Sequence, residues 1–229
     1  SRFLTAIVHP YIELLGGSKI SDHLDALEYG LKNGLIDRVL TGGMLGQLLL
    51  LSEGYKLGEP TEKVLREQDV DKKARPEGLL TASFVYRLNA IYMAYQDKFE
   101  LPIDLAYIDE QGNRKEILVT DLPKEGIPFL IADNGTQTAE KYASIIKNAK
   151  TVFEKGPMGN YKKPQLRQGS EIPYKAVAQN ISFWMTGGGD TDVLNQELGL
   201  KPPHKTLAGG AYLEFKAGKV LPGLVALDK

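Results

Sequence analysis

Short apolar runs that end in glycine recur along the chain, and a helical pattern follows at least three of them. The runs at 11–15, 38–41 and 181–186 lead into glycine groups at 16–17, 42–43 and 187–189, and a fourth pair stands at 209–210. After the first group, Ile20, Leu24, Leu27 and Leu31 have the spacing of one helix face. Helical stretches at 44–51 and 190–198 follow the second and third groups. Repeated strand, glycine turn and helix predict an α/β fold with a doubly wound, mostly parallel sheet between two helix layers, a three-layer αβα arrangement.

The remaining pattern predicts the other elements without indicating a second domain, so residues 1–229 are expected to form one unit. Predicted helices cover 61–70, 79–95 and 137–148, a hairpin joins 103–108 to 115–119, and strands cover 129–132 and 150–153. An apolar pattern begins at Phe3 without a helix cap. We therefore expect the chain to start inside a helix that a preceding segment begins.

Composition excludes several classes of function. The chain of 229 residues has 28 basic and 29 acidic residues, which gives no global field for a nucleic acid partner. It has no Cys, and His9, His23 and His204 lack the spacing of a zinc motif. No apolar run reaches the ~18–20 residues that span a bilayer, and nothing resembles an export signal. We expect a cytoplasmic monomer without a membrane partner.

The glycine groups suggest a ligand. Gly accounts for 24 residues, where ordinary usage of about 7% predicts roughly 16. Glycine at a strand end lets backbone amides approach a ligand, and amides at a helix N-terminus form an anion site. A single pair is more often structural, but four pairs favour a phosphate-bearing ligand across the strand ends.

The polar residues next to these glycines allow two interpretations, one structural and one functional. The stretch 16–19 lacks the spacing of a P-loop, and neither G-x-G-x-x-G after a strand nor G-x-S-x-G is present. Lys19 is either a solvated surface lysine or a phosphate partner. Asp190 and Thr191 are either a plain helix cap, or they serve a ligand, with Asp190 holding Mg²⁺ while Gly188, Gly189 and Thr191 hold phosphate oxygens.

Seven stretches in order resemble phosphoglycerate kinases, in particular their C-terminal, nucleotide-binding half. They are LGGSKISD (15–22), VLTGGMLGQLLL (39–50), LPID (101–104), IADNG (131–135), AKTVFEKGPMG (149–159), TGGGDT (186–191) and AGGAYLEFKAGKVLPGLVAL (208–227). The stretch 140–151 looks more like archaeal members. Each stretch is weak by itself, but the ordered set covers nearly the whole chain.

The resemblance implies a fold and an activity. The family has two Rossmann-like domains that close around a cleft, and it transfers a phosphoryl group reversibly between 1,3-bisphosphoglycerate and ADP, with Mg²⁺, in glycolysis and gluconeogenesis. The resemblance places ATP or ADP on this chain, and 3-phosphoglycerate or 1,3-bisphosphoglycerate on an N-terminal domain that these residues do not include. We therefore expect this chain alone to bind Mg-nucleotide with little kinase activity.

The resemblance also implies site residues. Adenine is expected near Gly42 and Gly43, and ribose near the turn of Gly156, Pro157 and Gly159. Phosphates are expected against Gly16, Gly17, Ser18 and Lys19, with Gly187, Gly188, Gly189, Asp190 and Thr191 opposite. Asp190 is the expected metal ligand. Lys19, Gly188 and Gly189 are the expected catalytic residues, with Lys19 following the transferred phosphoryl group.

Four departures from the family pattern predict weaker nucleotide affinity or a shifted ribose contact. His23 stands where the family usually has a second lysine, and Lys155 replaces the Asn of its Asn-Gly-Pro turn. Lys162 replaces a Glu that contacts the ribose hydroxyls, and lysine cannot accept those hydrogen bonds. Ala208 replaces a Gly. A non-catalytic nucleotide-binding module with the same fold is therefore an alternative, and a nucleotide-binding α/β protein acting on another substrate is a third hypothesis.

Overall fold

The secondary structure alternates between strands and helices over most of the chain. The computed structural model describes residues 7–18, 21–67, 82–180 and 183–206. The helices are α1 (Ser21–Lys32), α2 (Gly43–Ser52), α3 (Glu59–Glu67), α4 (Ala82–Ala94), α5 (Thr136–Ile146), α6 (Gln168–Asn180) and α7 (Gly189–Glu197). The strands are β1 (Tyr11–Leu15), β2 (Arg38–Thr41), β3 (Phe99–Glu100), β4 (Asp104–Ile108), β5 (Arg114–Leu118), β6 (Ile131–Asn134), β7 (Thr151–Lys155), β8 (Phe183–Gly187) and β9 (His204–Thr206).

The larger sheet has six strands in the order β3-β2-β1-β7-β8-β9, and all of its pairs are parallel. The order reverses between β1 and β7. In open α/β sheets the crevice outside the carboxyl ends of the strands at such a switch point is where ligands bind. This sheet confirms the predicted doubly wound architecture.

Helices cover both faces of this sheet. All five residues of β1 are buried, with Tyr11 and Leu15 in one apolar cluster and Ile12 and Leu14 in the other. The first cluster takes its helical side chains from α1 to α4, and the second takes them from α5, α6 and α7. A parallel strand covered on both faces is rich in apolar residues, and 11–15 is apolar except for Glu13. That carboxylate is buried and accepts the hydroxyl of Tyr11 (2.7 Å).

A smaller antiparallel sheet has the order β5-β4-β6. It contains the predicted hairpin, and Leu105 and Ile131 join the first apolar cluster. Asp104 in β4 caps α5, since its Oδ1 and Oδ2 accept the amides of Thr138 (2.7 Å) and Gln137 (3.0 Å). None of the helices in the described ranges is long and apolar enough to cross a membrane.

The predicted elements and the structure differ in a few places. Helix α6 and strands β3 and β9 were not predicted from the pattern: β3 has only two residues, and α6 contains Pro173, which normally ends a helix. The predictions for residues 1–6, 19–20, 68–81, 181–182 and 207–229, including Lys19, Ala208 and the pair at 209–210, lie outside the described residues.

Candidate functional site

The carboxyl ends of four neighbouring strands lie side by side at one edge of the large sheet. The register pairs Leu15 at the end of β1 with Thr41 in β2 and with Lys155 in β7, and it pairs Lys155 with Gly187 in β8. Each of these strands is followed by one of the glycine-containing turns: 16–17, 42–43, 156–159 and 188–189. The parallel register therefore brings these four glycine turns to one edge of the sheet.

Backbone hydrogen bonds join the first three of these turns. The amide of Gly16 donates to the carbonyl of Lys155 (2.9 Å), and the amide of Gly17 donates to that of Pro157 (2.7 Å). Gly43 donates to the carbonyl of Met158 (2.8 Å). The loops therefore form one packed backbone unit.

This packing requires glycine. A Cβ added to Gly16 would lie 2.3 Å from the Pro157 carbonyl oxygen, and one added to Gly43 would lie 2.7 Å from the amide nitrogen of Gly17. Gly156 has φ +79°, and its added Cβ would lie 2.3 Å from the Gly16 carbonyl oxygen. The glycines at these turns therefore have a structural role, because they allow the main chain of one turn to contact the main chain of the next.

The amides of the first two glycine groups are already used within the protein. The glycine pattern predicts that they are available to an anion, but Gly16, Gly17, Gly42 and Gly43 all donate to protein carbonyls. The expectation that these amides are free is wrong. A nucleotide contact at these positions stays a prediction, made through other groups.

The N-terminus of α7 is different. Its N-cap, Gly188, has φ +92° and offers no side-chain cap. Within the described ranges, the amides of Gly189, Asp190 and Thr191 donate to no backbone or side-chain acceptor outside the helix, whereas Asp104 occupies the corresponding end of α5. Amides that point out of a helix N-terminus are suited to bind an anion.

The first turns of α7 are fixed to the end of β7. The buried hydroxyl of Thr191 accepts the amide of Gly156 (2.8 Å), and one turn later Asn195 Nδ2 donates to Glu154 Oε2 (3.2 Å). Tyr174 also donates its hydroxyl hydrogen to the Gly156 carbonyl (3.2 Å). Thr191 can therefore offer its amide to a phosphate while its side chain holds the neighbouring turn.

Asp190 has one carboxylate oxygen, Oδ2, that accepts no hydrogen bond from the described residues. Its side chain is exposed, and Oδ1 accepts the hydroxyl of Tyr161 (2.9 Å). Burial, then the hydrogen bond to Asp190, raises the pKa of Tyr161 above its usual value. By contrast, both oxygens of Asp192 are engaged, Oδ1 by Lys205 (2.5 Å) and Oδ2 by Gln196 (2.7 Å).

The donor set fits Mg²⁺. No cluster of three or more acidic, His or Cys side chains suited to a metal occurs in the described ranges. Mg²⁺ does not need such a cluster, because it usually keeps several waters and binds through one or two carboxylates together with substrate phosphates. Asp190, in the first turn of α7, can supply that carboxylate.

The cations near the site differ in placement. Lys155 is 8% exposed, and its Cε lies 3.9 Å from where a Cβ on Gly188 would stand. Lys155 stands where the family pattern has Asn, and the sequence pattern predicts no role for it. The signal that could have identified it was a charged residue at the end of a buried strand. Lys162 is exposed.

The other predicted positions differ in how exposed they are. His23 is 8% exposed and lines a cavity of about 10 Å³ with Leu15, Leu24 and Leu45, which is about the room that one water needs. A Cβ on Gly159 would lie 2.1 Å from Asp133 Oδ1. The remaining positions vary in exposure: Ser18 is exposed, Gly17 and Gly156 are half-buried, and Gly16, Gly42, Pro157 and Gly187 are buried.

Comparisons with known proteins agree on one family. The family model of phosphoglycerate kinase matches residues 1–219. The phosphoglycerate kinase of Pyrococcus abyssi is 33% identical over 221 residues, which are 96% of this chain and 51% of that protein. That of Thermoplasma acidophilum is 32% identical over 232 residues, covering 100% and 53%.

Solved structures agree with the observed fold. Phosphoglycerate kinase from Pyrococcus horikoshii OT3 matches with a TM-score of 0.83 at 30% identity, over 99% of this chain and 55% of that one. The enzyme from Coxiella burnetii, at 24% identity and a TM-score of 0.79 over 98% and 55%, supports the fold alone. The chain spans about half the length of the curated relatives it matches.

Proposed function

The chain belongs to the phosphoglycerate kinase family, and we propose that residues 1–229 are the single nucleotide-binding domain of such a kinase, its C-terminal half. In this role it holds ADP or ATP with Mg²⁺ while the phosphoryl group passes reversibly between ADP and 1,3-bisphosphoglycerate. The observation that carries the proposal is the open N-terminus of α7, beside Asp190 and at the same edge as the turn 156–159.

The residues of the chain have separable roles in this proposal. The amides of Gly189, Asp190 and Thr191 bind phosphate oxygens, since the positive end of a helix favours an anion. Lys155, next to Gly188, adds positive charge to the same edge. Phosphoryl transfer needs chiefly positioning and charge stabilisation, so these groups act without a covalent intermediate.

Asp190 holds the metal. A carboxylate beside a phosphate site repels the ligand unless a cation lies between them, and a bound Mg²⁺ supplies that neutralisation of phosphate charge. The other assignments follow the resemblance. Lys19 contacts the transferred phosphoryl group, Gly42 and Gly43 lie by adenine, and the turn 156–159 lies by ribose.

The isolated chain is proposed to bind nucleotide but to turn over slowly. It spans about half of its relatives, and the three-carbon phosphate is assigned to the other half of the family's proteins. Without that half, the acceptor is not held in line with the nucleotide, and in-line positioning supplies most of the rate. A rapid turnover of 3-phosphoglycerate and ATP by this chain would contradict the proposal.

Calorimetric titration with Mg-ADP tests the site directly. Asp190→Asn and Lys19→Ala are each expected to lose about 1–3 kcal/mol of binding free energy, the value of a charge-assisted contact. Asp192→Asn is the matched control, because it removes the same charge from the same helix turn at a carboxylate whose oxygens are already engaged. Equal affinity in all four proteins, wild type included, would contradict the assigned site.

A non-catalytic nucleotide-binding module is the second candidate, and the placement of His23 and Lys162 favours it. His23 is buried in a small, mostly apolar cavity, and Lys162 stands where the resemblance places a ribose-binding Glu. If this candidate is correct, Lys162→Glu raises the affinity for Mg-ADP, while the chain supports no transfer even when it is joined to a kinase N-terminal half. Transfer by the joined protein would exclude this candidate.

A further inference from the structure

A tyrosine hydroxyl contacts the proposed metal ligand from a different part of the fold. Tyr161 lies beyond the turn that follows β7, and Asp190 is the second residue of α7, yet the Tyr161 hydroxyl donates to Asp190 Oδ1 at 2.9 Å. The contact joins the proposed ribose side of the site to its proposed phosphate side.

The core holds the Tyr161 ring in place. The residue is 8% exposed and lies in the second apolar cluster with Met158, Tyr174 and Leu194. Arg167 Nε donates to the Tyr161 carbonyl, which fixes the backbone as well. The hydroxyl position is therefore set by packing and is not that of a mobile surface side chain.

The hydrogen bond leaves one carboxylate oxygen of Asp190 available. Oδ1 accepts the hydroxyl of Tyr161, and Oδ2 accepts no hydrogen bond within the described part of the chain. Asp192, two residues later, has both oxygens engaged by Lys205 and Gln196. Of these two acids, Asp190 is the one with an oxygen that accepts no hydrogen bond from a described residue.

We infer that Tyr161 is a positioning residue that orients Asp190 so that Oδ2 faces the metal of a bound Mg-nucleotide. The inference rests on the proposed metal role of Asp190. Partners that orient a ligating carboxylate typically change metal affinity by about 10- to 100-fold when they are removed. If Tyr161 only supported the fold, its replacement would change ADP binding with Mg²⁺ and without Mg²⁺ by the same factor.

The test compares ADP binding to the 229-residue chain in excess Mg²⁺ and in EDTA, by calorimetry. Tyr161→Phe removes only the hydroxyl, and it is expected to weaken Mg-ADP binding about tenfold while metal-free ADP binds within about twofold of wild type. Tyr107→Phe is the matched control, since the Tyr107 ring stacks on Phe129 next to the smaller sheet. It is expected to change neither affinity.

Two results would overturn the inference: unchanged Mg-ADP affinity in Tyr161→Phe, or an equal loss with and without Mg²⁺. Asp190→Glu is a second variant on an exposed residue, and it keeps the charge but moves the carboxylate away from the hydroxyl. It should also lose Mg-dependent affinity. Tyr161→Phe should cause no further loss in an Asp190→Asn background.

The same titrations separate this inference from the proposed function. If wild type binds ADP in neither condition, the proposed nucleotide site fails. If Asp190→Asn binds Mg-ADP as tightly as wild type does, the metal role of Asp190 fails and the inference fails with it. If Asp190→Asn loses affinity and Tyr161→Phe does not, only the inference is overturned.

Discussion

Glu154 is a buried carboxyl group whose replacement should change how stability depends on pH. It lies in β7 with no measurable exposure, and Asn195 donates to its Oε2, but Oε1 has no hydrogen-bond partner in the described ranges. Burial raises the pKa of Glu154 from 4.5 to about 8, while Trp184 and Asn195 act in the opposite direction. The folded chain therefore keeps this proton at neutral pH.

The sign and size follow from proton linkage. Above pH 4.5 the unfolded chain releases the Glu154 proton, whereas the folded chain retains it until about pH 8. The free energy of unfolding therefore falls as pH rises through this window, by about 1.4 kcal/mol per pH unit, and then levels off. Between pH 5 and pH 8 the loss is on the order of 4 kcal/mol, a large part of the ~5–15 kcal/mol that stabilises a typical domain.

Glu154→Gln removes the titration and keeps an uncharged side chain of the same shape. We expect the variant to match wild type within about 1 kcal/mol at pH 5 and to be more stable by several kcal/mol at pH 8. Urea unfolding followed by circular dichroism at four pH values measures this difference, and Glu125→Gln, on an exposed residue, is the control. A difference between Glu154→Gln and wild type that stays constant from pH 5 to pH 8 would refute the reasoning.

Two further substitutions test the packed strand ends. Gly16→Ala places a Cβ 2.3 Å from the Pro157 carbonyl oxygen and should lower the free energy of unfolding by about 1–3 kcal/mol. Gly189→Ala is the control, because its Cβ would meet nothing within 4 Å and should leave that free energy unchanged. Equal urea midpoints for the two variants would contradict this prediction. Thr191→Val leaves the Gly156 amide without its acceptor and should cost about 1–3 kcal/mol, measured in the same way, with Thr191→Ser expected to retain most of the stability.

The sequence by itself determined the architecture and the family. The mostly apolar runs at Tyr11–Leu15 and Arg38–Thr41 have the bounds of β1 and β2, because a parallel strand covered by helices on both faces is rich in apolar residues. Glycine at the end of each run also predicted where the turns lie, although it was interpreted as favouring the approach of a ligand and not of another part of the main chain. These signals are local, so they can be read along the chain, and the ordered motifs at 15–22 and 186–191 contributed to the family assignment.

Only the tertiary structure decided which groups at the strand ends remain open. The amide of Gly16 donates to a carbonyl of β7, whereas the amide of Gly189 donates to no acceptor among the described residues, although both glycines follow a strand in a glycine turn. Only the tertiary structure shows, likewise, that Asp190 Oδ1 accepts the hydroxyl of Tyr161, which lies 29 residues earlier in the chain. Such pairings depend on sheet register and on packing between distant segments, and local residue patterns carry neither.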